Sequence, residues 1–482
     1  MKLKTIIAAL LFAALLVPLA AQDVTFSGDV ETLWGAAAPW TDKDTTAGRF
    51  TVGNTAFTGK IDAWIDNSSA YVEGTVGYDA TRALNNASGA AAGAGNSGFG
   101  ASSSFGADGL NLSLNEAWID YSDALWGIRI GRQKDTWGAA DGIDVTNVIC
   151  PSNMSGVSSL FSGSSKLAVD AARLSLYGDS FTADAWWLPF FTPSALPLDE
   201  GNALRRFVVP ATAELPVSQS TTLTIPVSIG TLSKPETAIW NGEYALKVSG
   251  YFSAFDASFY GFYGWDDTPL LDYTLTYSGS GGTPTPNGIT VSGGYERMGM
   301  IGADASLPIG ETVLRLETAV FPQRHFQKSA EKIITEKMTA AATAAATGTT
   351  PATVATSEKH TQLSALAGLD WMPSGWTITA QYYCDAVFGN LDALDRADAY
   401  NHGMTLNVSK TFLDETLEAS LTAIVGFNAF DTMISPSVKY SLSDQISVNG
   451  GAYIFTPGPD KDGQYGAYKD LSTFYASAKF SF

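Results

Sequence analysis

Charged side chains recur in this chain at spacings that place them together on one face of a strand. Lys60 with Asp62, and Arg315 with Glu317, lie two residues apart in runs whose alternate positions are apolar. Arg129 falls on the polar face of its own run. Arg132, Lys134 and Asp135 stand where that run ends, and Asp141 and Asp144 follow in the next connection. On the inner wall of a water-filled sheet, fixed charges of both signs would sort ions and polar solutes electrostatically. On any other sheet the same residues would be cross-strand ion pairs that hold the wall. Covalent chemistry has little support. The three histidines, His325, His360 and His402, are far apart and make no HExxH pattern. No GxSxG elbow or phosphate-binding glycine loop is present. The chain is expected to be no enzyme and to need neither metal nor cofactor.

The elements that would carry these charges are strands. Val24, Phe26, Val30 and Trp34 alternate with Thr25, Ser27, Asp29 and Glu31, and Phe57, Ile61, Ala63 and Ile65 oppose Lys60, Asp62 and Trp64. The same period of two runs through Leu363–Trp371, Trp376–Asp385, Leu417–Val425 and Thr473–Phe482. Alternation alone fits a soluble sandwich or a barrel in lipid. The connections separate the two. Short turns at Asn67–Ser69, Gly178–Ser180, Met372–Gly375 and Ser443–Gln445 take turns with long excursions at Leu84–Gly109, Gly138–Ser165, Pro189–Asn241, Gln323–Lys359 and Thr456–Leu471. Short turns at one end and long loops at the other are the habit of transmembrane antiparallel β-barrels. The spacing predicts an all-β barrel of about 18 strands, with 16 the main alternative, and a barrel of that size encloses a channel.

Composition agrees. Charged residues are 16% of the chain and apolar residues 45%, a low charge content for a soluble domain and a natural one for a wall facing lipid. Lys2 and Lys4 precede an apolar run, Ile6 to Leu19, and Ala20-Ala21 offers a cleavage point. Residues 1–21 therefore read as a signal peptide and 22–482 as one barrel domain. The net charge is −20, or −22 once the two leader lysines are removed (26 basic against 48 acidic residues). Such acidity argues against nucleic acid as a partner. Trp126, Trp371 and Trp376 beside short turns, with Trp34 and Trp265 toward the long loops, would form interfacial girdles. Trp64 and Trp118 fall on the inner face, where they would either stack on a passing sugar or pack in the wall. Ser329 is a possible helix cap before helix formers that reach Ala346, and the Ala/Thr-rich continuation to Thr356 reads as an extracellular loop. Cys150 and Cys384 are distant in sequence, and a bond between them is left open.

The last strand, ending on Phe480 and Phe482, resembles the C-terminal signal of bacterial outer-membrane barrels, although Ala476 and Ala478 stand where a glycine is usual. NEAWIDYSDALWGIRIGRQKDTWGAADGIDVTNVICP, from Asn115 to Pro151, resembles a family of large, functionally uncharacterised outer-membrane barrels similar in style to bacterial porins. Gly250–Pro269 and Tyr295–Phe321 fit the same resemblance. It implies an outer-membrane location, lipid and the barrel-assembly machinery as partners, and a homotrimer. It also implies a channel passing small hydrophilic solutes by passive diffusion, in which Gly138–Ser165 folds inward. Asp141 and Asp144 would then lie on an acidic rim across from a basic wall, with Arg129 inward on the preceding strand and Arg132, Lys134 and Asp135 where that strand enters the loop. Lys60, Asp62, Arg315 and Glu317, inward by alternation, would give the pore a lining of both signs. A surface flap over the mouth is the other reading of that loop. A sugar- or organic-acid-selective channel, or an adhesin or structural barrel with a plugged lumen, are the other readings of the whole.

Overall fold

The computed structural model describes residues 23–38, 48–81, 105–107, 109–156, 166–198, 202, 204–218, 221–278, 285–396 and 398–482. The signal-peptide reading of residues 1–21 and most of the Leu84–Gly109 loop lie outside them.

Alternating faces leave a strand only one stable arrangement in lipid, a sheet without edges. The chain achieves it with eighteen strands: Asp23–Ala37, Phe50–Ile65, Ser68–Asp79, Leu110–Ser122, Trp126–Gln133, Val169–Tyr177, Phe181–Leu188, Glu243–Tyr251, Asp256–Trp265, Arg297–Ile309, Thr312–Gln327, Ser357–Trp371, Trp376–Phe388, Tyr400–Phe412, Leu417–Gly426, Asp431–Ser441, Ile446–Thr456 and Thr473–Ser481. Each pairs antiparallel with its neighbours, and the first pairs with the last from Asp29↔Ser481 to Ala37↔Thr473. The sheet is a closed barrel, with the short piece Phe105–Ala107 laid beside Leu110–Ser122. Of the two expected counts, the larger is the observed one.

The eight connections at the end where the first strand begins and the last one finishes span two to four residues, among them Asp66-Asn67 and Gly310-Glu311. Asp66 and Gly310 take positive φ there, as such tight reversals demand. The outer face carries Phe26, Phe57, Ile119, Ile130, Phe259 and Ile301 exposed, an apolar surface suited to lipid. Trp126, Trp371 and Trp376 ring the short-turn side of that surface, and the Lys410 ammonium lies 4.7 Å over the Trp376 ring. On the long-loop side Trp34 is exposed, and Trp265 sits 4.2 Å beneath the Arg297 guanidinium. Both girdles occupy the predicted ends.

The long connections are more ordered than the sequence suggests. Thr212–Ser218, Thr221–Ser233, Leu270–Ser278 and Thr285–Gly294 join into a second, four-stranded sheet drawn from two loops. Ile225, Ile289 and Val291 fill its core, and Ile334 of the helix Ala330–Thr347 packs against it. Pro189–Asn241 was expected as a plain loop; its alternating Thr-Leu-Thr-Ile stretch pairs with Thr212–Ser218 of the same connection, and Val227–Ser233 pairs with a strand supplied by a different one. The helix begins where expected, with the Ser329 hydroxyl accepting from Lys332 N at 3.3 Å. It ends at Gly348, whose φ of +67° caps it.

Candidate functional site in the lumen

The segment after Gln133 turns into the barrel rather than over it. Gly138 has a φ of +90°, and a Cβ there would lie 2.2 Å from Glu317 Oε1, so only glycine permits both the turn and the approach. Glu317, on the inner face of Thr312–Gln327, takes four hydrogen bonds from this segment. Ala139 N donates to Oε2 at 2.9 Å and Ala140 N at 2.7 Å, and Thr146 gives Oε1 both its N–H and its hydroxyl at 2.7 Å. Gly138 N donates to the Tyr260 hydroxyl at 3.1 Å, and Arg315 Nη1 donates to Ala139 O at 3.0 Å. Farther round the wall, Asp141 N donates to Gln381 Oε1 at 2.8 Å.

Apolar side chains complete the anchorage. Trp137, Val145, Ile149 and Cys150 pack against Tyr260, Phe262, Met300 and Phe321, which face inward on neighbouring strands. Each such side chain fully withdrawn from water contributes about 1.5–3 kcal/mol. Strand Trp126–Gln133 and strand Trp376–Phe388 are the fifth and thirteenth of eighteen, so the segment reaches the wall nearly opposite its origin. It is a shelf inside the lumen. The surface-flap alternative does not describe residues 134–151; residues 157–165 lie outside the described ones.

The sequence-predicted charges divide into groups. Lys60 pairs with Glu73 at 3.8 Å, Arg129 with Asp120 at 3.0 Å, and Arg315 with Asp370. Asp135 faces Arg173 at 3.8 Å, and burial pushes its carboxyl above the usual range despite the cations Lys247 and Arg173 nearby. Asp144 holds Lys166 at 2.6 Å. These inner-face cations are therefore cross-strand or loop-to-wall ties, and no free basic wall stands opposite the shelf at Lys60, Arg129 or Arg315. Arg132 shares the outward face of Ile130 by alternation and pairs with Asp170 at 3.6 Å. Lys134 is exposed at the start of the shelf, its N–H donating to Glu116 at 3.2 Å. Asp141 is exposed on the shelf and Asp62 lies on the inner wall beside Tyr71.

Trp118 has Tyr71 stacked on it at 5.4 Å and the Arg129 guanidinium 3.8 Å over its ring. These come from the strands on its two sides, so Trp118 packs in the wall and has no bare face for a sugar. Cys150 and Cys384 are both free, the first buried under the shelf and the second on the outward face that carries Tyr382. Burial pushes the Cys150 thiol up to about 12.

Sequence reasoning missed Lys247. Its strand alternates Tyr244, Leu246 and Val248 outward with Ala245, Lys247 and Ser249 inward, so the signal was present. Lys247 lies with Arg315, Asp256, Asp304 and Asp370 around a recess of about 370 Å³ on the short-turn side of the shelf. Its ammonium approaches the Tyr260 ring at 5.8 Å.

No protein-family model matches the chain, and no curated protein matches it. Among solved structures, it is similar to OccAB1 of Acinetobacter baumannii, with a TM-score of 0.48, 10% identity, and 96% of this chain and 97% of that one covered. OpdK of Pseudomonas aeruginosa with vanillate gives a TM-score of 0.46 and 7% identity over 96% and 99%. The outer membrane channel DcaP of Acinetobacter baumannii gives 0.41 and 9% over 95% and 97%. The barrel itself is established by this chain's own strand pairing.

Proposed function

We propose that this chain is a porin-like channel of a bacterial outer membrane, passing small hydrophilic solutes by passive diffusion. The observation that carries the reading is the shelf. A segment tied across the lumen by Glu317 and Gln381 narrows an otherwise polar bore without needing a ligand, a cofactor or an energy source. Eighteen strands leave room for water inside, and the apolar outer face with its aromatic girdles suits an outer-membrane bilayer. In this reading residues 1–21 are the export leader. Lipid, the barrel-assembly machinery and two further copies of the chain are the partners, and the acidic Asp141 and Asp144 set the rim of the constriction. No catalytic role is assigned.

Single-channel recording of the refolded protein in a planar bilayer tests this. Stepwise openings with cation preference are expected, and replacing Asp141 and Asp144 by Asn should weaken that preference. Unchanged conductance and selectivity in the double variant would remove the rim from the constriction.

A plugged or adhesive barrel is the second reading, and one observation favours it. Phe207, from the connection 189–242, packs against Tyr468 at 4.7 Å, and Leu204 joins Met433, Phe455 and Leu471 in a cluster across the mouth. A folded barrel giving no current would select it.

A further inference from the structure

We propose that the recess beneath the shelf is a binding subsite for the oxyanion head of a small hydroxylated solute, with Lys247 as the residue that contacts it. This deepens the channel reading and rests on it for the solute's route to the site.

The argument is one of spent and unspent charges. Arg315 is committed to Asp370 and to Ala139 O. Asp370 also accepts the Thr379 hydroxyl at 2.8 Å. Asp304 takes the Tyr260 O–H, and Asp184, opposite Lys247 in the sheet, takes the Ser175 hydroxyl at 2.5 Å. Lys247 is different. Among the described residues it makes no hydrogen bond or ion pair; its ammonium lies by the Tyr260 ring and within electrostatic reach of Asp135 and Asp304 without pairing with either. An ammonium left with three free donors on the wall of a recess is a place for a carboxylate or phosphate.

The surroundings suit a hydroxylated ligand. Ser306 and the exposed Asp256 line the same recess and make no side-chain hydrogen bond among the described residues. Asp256 lies toward the short turn, four positions along its strand from Tyr260, the register partner of Lys247. At about 3.3 Å per residue that is roughly 13 Å from the cation. This span places the acceptor for hydroxyl groups at one end and the cation at the other, the layout that a sugar acid or a sugar phosphate presents in reverse.

The test is block of single-channel current by gluconate, glucose 6-phosphate or glucose added on the short-turn side. Gluconate or glucose 6-phosphate should interrupt the current at concentrations where glucose does not, and which of the two acts more strongly distinguishes a carboxylate from a phosphate ligand. Lys247→Met should raise the half-blocking concentration about tenfold or more, the loss of one charge-assisted hydrogen bond. Lys247→Arg should restore block. Lys439→Met, which removes an inward lysine from another part of the wall, should leave block unchanged. Equal block by glucose, or block by the anions that survives Lys247→Met, overturns the subsite. Calorimetry of gluconate and of glucose 6-phosphate with the detergent-solubilised barrel separates the two proposals. Binding of either anion that is lost in Lys247→Met, without any current, keeps the subsite and removes the channel reading. Current with neither binding nor block keeps the channel and removes the subsite.

Discussion

Asp141 and Gln381, 240 positions apart, hold each other by a reciprocal amide pair: Asp141 N donates to Gln381 Oε1 at 2.8 Å, and Gln381 Nε2 donates to Asp141 O at 2.7 Å. A buried glutamine that satisfies a peptide group on both sides works like one rung of a sheet ladder, made by a side chain. It is the far end of the shelf. Gln381→Leu keeps the volume and removes both bonds, leaving the Asp141 peptide groups unpaired at a cost of about 1–3 kcal/mol. The expected result is a barrel of normal thermal stability whose single-channel trace shows more frequent stepwise fluctuations than the parent. A trace as quiet as the parent's would mean that the shelf is fixed without Gln381.

Glu317 is the stronger tie, because an ionised carboxylate accepts all four donors that the segment offers. Glu317→Gln replaces one accepting oxygen with an NH2 group that faces the N–H groups of Ala139 and Ala140 or the donors of Thr146. Donor then meets donor. The shelf should loosen, and trypsin should cut the folded variant after Lys134 or Lys166 at least about tenfold faster than the parent, since cleavage follows the population of the opened state. Equal rates would show that the apolar packing of Trp137, Val145 and Ile149 suffices alone.

Cys150 reports the same opening through pH. Its Sγ accepts Asp135 N at 3.4 Å, but burial dominates and pushes the thiol up to about 12. A free thiol titrates near 8.5. The folded state therefore favours the neutral thiol, so this contribution to stability is full below about pH 8.5 and is lost as pH rises toward 12. Alkylation by a water-soluble maleimide at pH 8 should be slow in the parent and fast in Glu317→Gln. A Cys384→Ser background removes the second thiol from the measurement. Rapid alkylation of the parent would contradict the buried placement.

Much of the barrel was legible because a period of two is a local signal. Lys60, Asp62, Arg129, Arg315 and Glu317 all fall on the inner face that alternation assigns them, and the short turns lie within a residue or two of their expected places. Their partners were not legible, because Lys60 meets Glu73, and Arg315 meets Asp370, through register set by turn geometry across the sheet. Alternation bears on Arg132 as well. It sits at a strand end one position beyond Gly131, whose φ is +132°; alternation with Ile130 already turns it away from the lumen, and the pairing with Asp170 agrees. The second sheet was missed as those partners were. Its central strands, Thr221–Ser233 and Thr285–Gly294, come from different connections and pair in parallel, which no reading of either loop alone could supply.

Barrel closure offers the last test. Gly28 and Phe482 exchange two backbone hydrogen bonds, each 3.0 Å, at the seam between the first and last strands. The Phe482 ring stacks on Phe57 at 6.2 Å and on Phe480 at 6.1 Å. A Cβ at position 28 would lie 2.5 Å from Thr58 O and 2.9 Å from the Phe482 ring, and the first of these is backbone that cannot swing away. Gly28→Val should therefore lower the refolding yield and the unfolding temperature together. Phe482→Ser keeps the two backbone bonds and removes only the half-exposed ring, about 1 kcal/mol of apolar burial against its neighbours. Heat-dependent migration of the folded barrel on gels reads both. If Gly28→Val unfolds at the parent's temperature, the close approach at the seam does not limit closure. If Phe482→Ser folds normally in detergent but fails to reach the membrane in cells, the ring acts in assembly rather than in the finished wall.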